Sequence, residues 1–233
     1  MKSPIICAID SNNITQAKKI AKELKDYVWG YKIGLEFFYS HGHVGTKEII
    51  KEGLPIFLDL KLNDIPNTCL KAVNAISTLN PYFISMHISS GRESIETVAK
   101  KLKDLGSENK RPKLVGVTIL TSLEQKDLDD IGWNSKISDA VKKLAESAKL
   151  SGVDGLVCSP LEIEILKNEF GNDLQLIVPG IRVDQKILHD QKRIMSPKKA
   201  LDLGANYLVV GRAITENKNP KEIAKKIYKE LIS

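Results

Sequence analysis

Eight short runs rich in isoleucine, valine and leucine punctuate the chain: Pro4 to Ile9, Trp29 to Ile33, Pro55 to Leu60, Tyr82 to His87, Leu114 to Leu120, Gly155 to Cys158, Leu174 to Val178 and Tyr207 to Val210. Apolar residues are nearly continuous within each run instead of alternating with polar ones. That pattern predicts strands covered on both faces, as in a parallel sheet wrapped by helices. Between the runs apolar residues recur at three and four, as in Ile14, Ala17, Ala21 and Leu24 or Ile137, Val141, Leu144 and Ala148, the spacing of helices with one buried stripe. Two helix starts are marked by chemistry as well as period. Ser159-Pro160-Leu161-Glu162 has a capping serine, proline at the first helical position and glutamate at the third, and Asn219-Pro220-Lys221-Glu222 repeats the arrangement.

Sharing 233 residues among eight strand-helix units leaves about 29 for each, close to the ~250-residue length of a (β/α)8 barrel. The expected fold is therefore α/β, a TIM (β/α)8 barrel, with residues 1–233 forming a single domain. A doubly wound open sheet is the structural alternative, but it would more often show a glycine-rich turn after the first strand, where this chain has Asp10-Ser11-Asn12-Asn13.

Composition narrows the class. A chain that is 42% hydrophobic and 27% charged has ample material for a core. No apolar run approaches the ~20 residues of a membrane span, and the first one stops at Asp10, so neither a membrane anchor nor an ordinary signal peptide is expected. Cys7, Cys69 and Cys158 are odd in number and widely separated; they match no disulfide framework or zinc spacing, which points to a reduced, cytoplasmic protein. The net charge of +6 owes much to Lys218, Lys221, Lys225, Lys226 and Lys229, which mix with Glu216, Glu222 and Glu230. This is the charged face of a terminal helix, and no nucleic-acid partner is expected from it. A negatively charged small substrate stays open.

In a barrel of this kind chemistry gathers at the carboxyl ends of the strands. Those ends are unusually charged: Asp10 after the first, Lys32 in the second, Asp59 and Lys61 with Asp64 just beyond the third, His87 at the fourth, Thr121 after the fifth and Gly211-Arg212 after the eighth. Strand alternation places Asp59 and Lys61 on one side because they are two apart. Lys32, in a buried strand between Tyr31 and Ile33, needs carboxylates to offset its desolvation. The bland alternatives differ by position. Ser159 is read as a helix cap, and Asp10 stays open between a cap and a site residue. His87 is taken as a structural imidazole, and Trp29 and Trp133 as packing or loop residues. After the seventh and eighth runs, Val178-Pro179-Gly180-Ile181-Arg182 and Val210-Gly211-Arg212-Ala213-Ile214 pair a close-approach glycine with an arginine fork, where barrels commonly hold phosphate.

The run Asp59-Leu60-Lys61-Leu62-Asn63-Asp64-Ile65-Pro66-Asn67-Thr68 resembles the bacterial orotidine 5′-phosphate decarboxylases, whose hallmark is Asp-x-Lys-x-x-Asp after the third barrel strand. The likeness extends through Tyr31-Lys32-Ile33-Gly34, Val117 to Ser122, Pro179 to Arg182, Asp190 to Met195 and Gly211-Arg212, essentially the whole chain. The resemblance implies decarboxylation of orotidine 5′-monophosphate to uridine 5′-monophosphate without metal or organic cofactor, in a homodimer. It implies Lys61 as the proton donor to C6 of the pyrimidine, with Lys32, Asp59 and Asp64 completing a charged array and Asp10 and Lys32 holding ribose hydroxyls. It further implies that Asp64, Ile65 and Thr68 enter the partner's site, that Thr121 meets the pyrimidine, and that Arg182, Gln191, Gly211 and Arg212 grip the phosphate. The runner-up is a metal-dependent sugar-phosphate decarboxylase or aldolase of the same superfamily. Such enzymes place a metal-binding glutamate at strand two, where this chain has Lys32, and a protonated lysine cannot ligate magnesium. A different class, a catalytically silent nucleotide-binding barrel, would have to keep buried charges at a cost with no reaction to use them.

Overall fold

The eight apolar runs are the eight strands of a closed parallel barrel. The computed structural model describes residues 3–108, 110–182 and 194–232. Strands β1 (Ile5–Ala8), β2 (Gly30–Ile33), β3 (Ile56–Leu62), β4 (Phe83–His87), β5 (Lys113–Val117), β6 (Gly155–Val157), β7 (Gln175–Val178) and β8 (Tyr207–Val210) each pair with the next, and β8 pairs back onto β1. Around them run α1 (Ile14–Leu24), α2 (Leu35–Ile50), α3 (Pro66–Ser77), α4 (Arg92–Asp104), α5 (Gln125–Asp130), α6 (Ile137–Leu150), α7 (Ile163–Phe170), α8 (Pro197–Asp202), α9 (Arg212–Thr215) and α10 (Pro220–Ile232).

The absence of alternation in the strand sequences follows from two cores. Ile6, Ala8, Phe57, Phe83, Val115, Val117, Val157, Ile177 and Val209 fill the barrel interior. Their strand neighbours, such as Ile5, Cys7 and Ile9 on β1, join the helices in the outer core. Both faces are dry, so both must be apolar, each fully buried isoleucine contributing about 1.5–3 kcal/mol. At the amino-terminal end Trp29 lies 4.8 Å from Tyr82 and 4.6 Å from Tyr207, ring centre to ring centre, and closes the interior from below. The expected packing role of Trp29 holds, and Trp133 packs half-buried on the outer core. Close by, Arg111 grips Asp154 through both guanidinium ends at 2.8 and 2.6 Å, and Asp154 also accepts from the Leu114 amide, which ties β5 to the start of β6.

The caps sort the ambiguous residues. Ser159 and Glu162 form the expected capping box: the Ser159 hydroxyl accepts from the Leu161 amide, and Glu162 accepts from the Ser159 amide at 2.8 Å. The turn it opens leads directly into α7. Helix α1, however, is capped by Asn13, whose Oδ1 accepts from the Gln16 amide at 3.0 Å. Asp10 is therefore not the cap.

Two strand ends depart from expectation by more than one residue. The fifth was expected to reach Leu120 but stops at Val117; Thr118 makes a last backbone bond to Val157, and Ile119 and Leu120 leave the ladder to line the mouth of the barrel. Their apolar character serves that lining. The third strand runs to Leu62 because it bulges: Leu58 pairs with Ile84 and Leu62 with Met86, so four steps along β3 match two along β4.

Candidate active site

The inward register of neighbouring strands raises a column of polar residues above the apolar interior. Ala8 pairs with Lys32 and Lys32 with Phe57, so Lys32 shares the interior face with them. Two residues beyond Phe57, Asp59 stands on that face too. Above these residues opens a cavity of about 520 Å³, lined among others by Asp10, Lys32, Asp59, Lys61, Thr121 and Arg212. Its size suits a nucleotide-sized ligand.

Asp59 is the centre of the array. Its Oδ2 is 2.8 Å from Lys61 Nζ and 3.7 Å from Lys32 Nζ, while Lys32 also meets Asp10 Oδ1 at 3.1 Å. The Asp59 and Lys32 side chains are only 8% and 11% exposed, so the pair between them is largely removed from water, while Lys61 and Asp10, at 28% and 42%, are more open. Burial alone would push the Asp59 carboxyl up, but Lys32, Lys61 and the Ser85 hydroxyl outweigh it and hold it below the usual carboxylate value. Burial likewise pulls the Lys32 ammonium down, and the two carboxylates reverse the shift and hold it above the ordinary lysine value. His87, at the end of β4, is lowered by burial and then by Lys61, in keeping with a neutral imidazole outside the array.

Asp59 and Lys61 meet as expected, but by another route than regular alternation. Lys61 lies inside the bulge with φ of +49°, a left-handed conformation that non-glycine residues seldom adopt. Such strain persists only where surrounding structure holds it, and it collects at functional sites. Ser85, not singled out in the sequence, holds it here, and Gly34 makes room for the neighbouring pair. Ser85, fully buried in β4, donates to Asp59 Oδ1 and accepts from the Lys61 amide, both at 2.9 Å. Gly34, at the β2–α2 junction, leaves the space in which Asp10 and Lys32 meet; a Cβ there would lie 2.6 Å from Asp10 Oδ1 and 2.7 Å from Lys32 Nζ. A signal existed for Ser85, because Phe83, Ser85 and His87 alternate and set a hydroxyl on the interior face. Nothing local marked Gly34 beyond its neighbours.

The remaining candidates divide by place. Thr121, Arg182, Gly211 and Arg212 line the cavity with the array. Arg182 is fixed through its backbone, donating to the Met195 carbonyl at 2.9 Å, while the Met195 amide donates to Gly180 at 3.1 Å. Gln191, expected to grip the phosphate, lies outside the described residues. Asp64, Ile65 and Thr68 are exposed and do not line the cavity of their own chain. The Asp64 backbone is nonetheless anchored, its carbonyl accepting from Ser94 Oγ at 3.0 Å and Cys69 Sγ at 3.3 Å. All three cysteines are buried and outside any disulfide. Among the described residues no helix is long and apolar enough to cross a membrane, and no group of three histidine, cysteine or acidic side chains is arranged to hold a metal ion.

Comparison with known proteins agrees along the whole chain. Residues 3–227 match the family described as Orotidine 5'-phosphate decarboxylase / HUMPS family. An orotidine 5'-phosphate decarboxylase of Wolbachia pipientis subsp. Culex pipiens is 44% identical over 231 residues, 98% of this chain and 99% of that one. Among solved structures, the orotidine 5'-phosphate decarboxylase of Lactobacillus acidophilus superimposes with a TM-score of 0.86 at 35% identity, covering all of both chains. The orotidine 5'-monophosphate decarboxylase of Methanocaldococcus jannaschii, solved with the inhibitor BMP, gives 0.80 at 28% identity, again over all of both.

Proposed function

This chain belongs to the orotidine 5′-phosphate decarboxylase / HUMPS family, and on that footing we propose that it is a carboxy-lyase converting orotidine 5′-monophosphate to uridine 5′-monophosphate, the last step of de novo pyrimidine nucleotide synthesis, with Lys61 as its acid. The observation that carries the proposal is the buried array in which one oxygen of Asp59 faces two lysine ammoniums at the floor of a nucleotide-sized cavity.

The reaction explains why such an array is useful. When the bond from C6 to the carboxylate breaks, carbon dioxide leaves and the electron pair stays on C6, in the ring plane, where the π system cannot delocalise it. A cation fixed beside C6 stabilises that pair without waiting for solvent to reorganise. Lys61 then delivers a proton to C6, which completes the product, and regains one from water. Lys32 and Asp10, joined at 3.1 Å, present an ammonium and a carboxylate suited to ribose hydroxyls. Thr121 meets the pyrimidine. Arg182, Gln191, Gly211 and Arg212 receive the phosphate, whose remote binding energy helps to exclude water and complete the charged site. Asp59, facing the departing carboxylate, raises the ground state more than the transition state, from which negative charge has moved onto carbon.

Asp64, Ile65 and Thr68 act in the site of a second copy, in a homodimer. Their exposure outside their own cavity and the anchored Asp64 backbone support this assignment. Buried thiols without disulfides fit a reduced, cytoplasmic setting. The runner-up is a metal-dependent sugar-phosphate enzyme of the same superfamily. Against that runner-up stands Lys32, which is held protonated by Asp10 and Asp59 and so offers no lone pair to a divalent ion. An ultraviolet assay with orotidylate in the presence of a chelator tests the proposal. Turnover under chelation is the expected result, and metal-dependent turnover of a sugar phosphate with none of orotidylate would reject it.

A further inference from the structure

We infer that Ser85 is a positioning residue for the decarboxylation, its hydroxyl holding the Lys61 backbone and the Asp59 carboxylate in the one arrangement that lets a single carboxylate oxygen face both lysines. The inference rests on Lys61 acting as the acid.

Ser85 sits in the middle of β4 with no exposure, beside apolar Ile84 and Met86. A hydroxyl offers one proton and two lone pairs. Its proton goes to Asp59 Oδ1 at 2.9 Å, and a lone pair takes the Lys61 amide at 2.9 Å. Both contacts bear on the array. With Oδ1 committed to Ser85, the other oxygen turns to Lys61 at 2.8 Å and Lys32 at 3.7 Å. A carboxylate rotated about its own axis would lose that division. The second contact answers a defect in the sheet. Between the Leu58–Ile84 and Leu62–Met86 pairs the ladder from β3 to β4 is interrupted, and the Lys61 amide finds its partner in a side chain. That bond helps to hold Lys61 at φ of +49°, the conformation from which its side chain returns toward Asp59. An alanine at 85 would strand the Lys61 amide and release Oδ1 together.

Steady-state kinetics of Ser85→Ala and Ser85→Thr, beside Lys61→Ala and with the melting temperature of each, test the inference. Ser85→Ala is expected to fold and to lose about ten- to a hundredfold in kcat, the range for a lost hydrogen bond to a charged group, with KM within about threefold of wild type. Ser85→Thr, which keeps the hydroxyl, is expected to recover most of that loss. Wild-type kcat in folded Ser85→Ala would overturn the inference, as would a Ser85→Thr enzyme as slow as the alanine variant, since packing alone would then explain the effect. If Ser85→Ala does not fold, Ser85→Cys replaces it: turnover well below Ser85→Thr supports the role of the hydroxyl, and equal turnover rejects it. Lys61→Ala separates the two levels. Activity retained there removes the acid and takes the inference down with it, whereas activity lost there but kept in Ser85→Ala sinks the inference alone.

Discussion

Asp59 faces two cations with one oxygen and accepts a hydroxyl proton on the other, and that crowding sets its pH behaviour. Its folded-state pKa is depressed, so the stability it lends is present above the unfolded value of about 3.9 and is lost as the pH falls through the lower folded value. Lys32 is shifted the other way: its contribution is present below the unfolded value of about 10.4 and is lost as the pH rises through the higher folded value. Both shifts widen the window in which the pair is ionised. A pH series of kcat/KM is therefore expected to show no break from this pair between about pH 5 and 9. In the same series Asp59→Asn is expected to lower kcat by at least about a hundredfold, as the loss of a preorganised charge does. Substrate affinity should stay equal or tighten, because the carboxylate that in the proposed mechanism faces the substrate's own is gone; weaker binding would count against ground-state stress.

Elements converge on the array through two irregularities, the bulge in β3 and the junction between β2 and α2. Gly34 stands at that junction with φ of −94°, so backbone strain does not explain a glycine there. Space does, because a Cβ would fall within 2.7 Å of both Asp10 Oδ1 and Lys32 Nζ. Both atoms end flexible side chains, which can move aside with little harm to the fold. Gly34→Ala is expected to keep its melting temperature within about 4 °C of wild type, a change of no more than roughly 1 kcal/mol, while kcat/KM falls about tenfold or more as the Asp10–Lys32 pair is pushed apart. A variant that melts early with normal kinetics would show that Gly34 serves packing instead. The residue types in Asp59-Leu60-Lys61 were legible along the chain, but the bulge that joins their side chains was not, because period-two alternation knows nothing of a partner strand two residues shorter.

The molecule as a whole leaves Asp64, Ile65 and Thr68 exposed and outside the cavity of their own chain. Ile65 is 67% exposed, large and apolar, on the turn that leads into α3. In the proposed dimer these residues complete the other copy's site. Mixing inactive Lys61→Ala and Asp64→Ala proteins would then give hybrids with one doubly altered and one intact site. Random pairing makes half of the dimers hybrids, so about a quarter of wild-type activity is expected after subunit exchange. Hybrids proven to form but still inactive would place Asp64 in its own chain's site or in none.

Strand and helix identity, the closed barrel and the residue types of the site were determined by the sequence itself, because both faces of a wrapped parallel strand are dry and because caps such as Ser159 act over three residues. Tertiary structure alone decided how the charges meet. Lys32 and Asp10 are 22 residues apart and Ser85 and Asp59 are 26 apart, distances over which no local periodicity carries information. Only closure of the barrel, with β3 slipped against β4, brings a hydroxyl to the Lys61 amide and two ammoniums to one carboxylate.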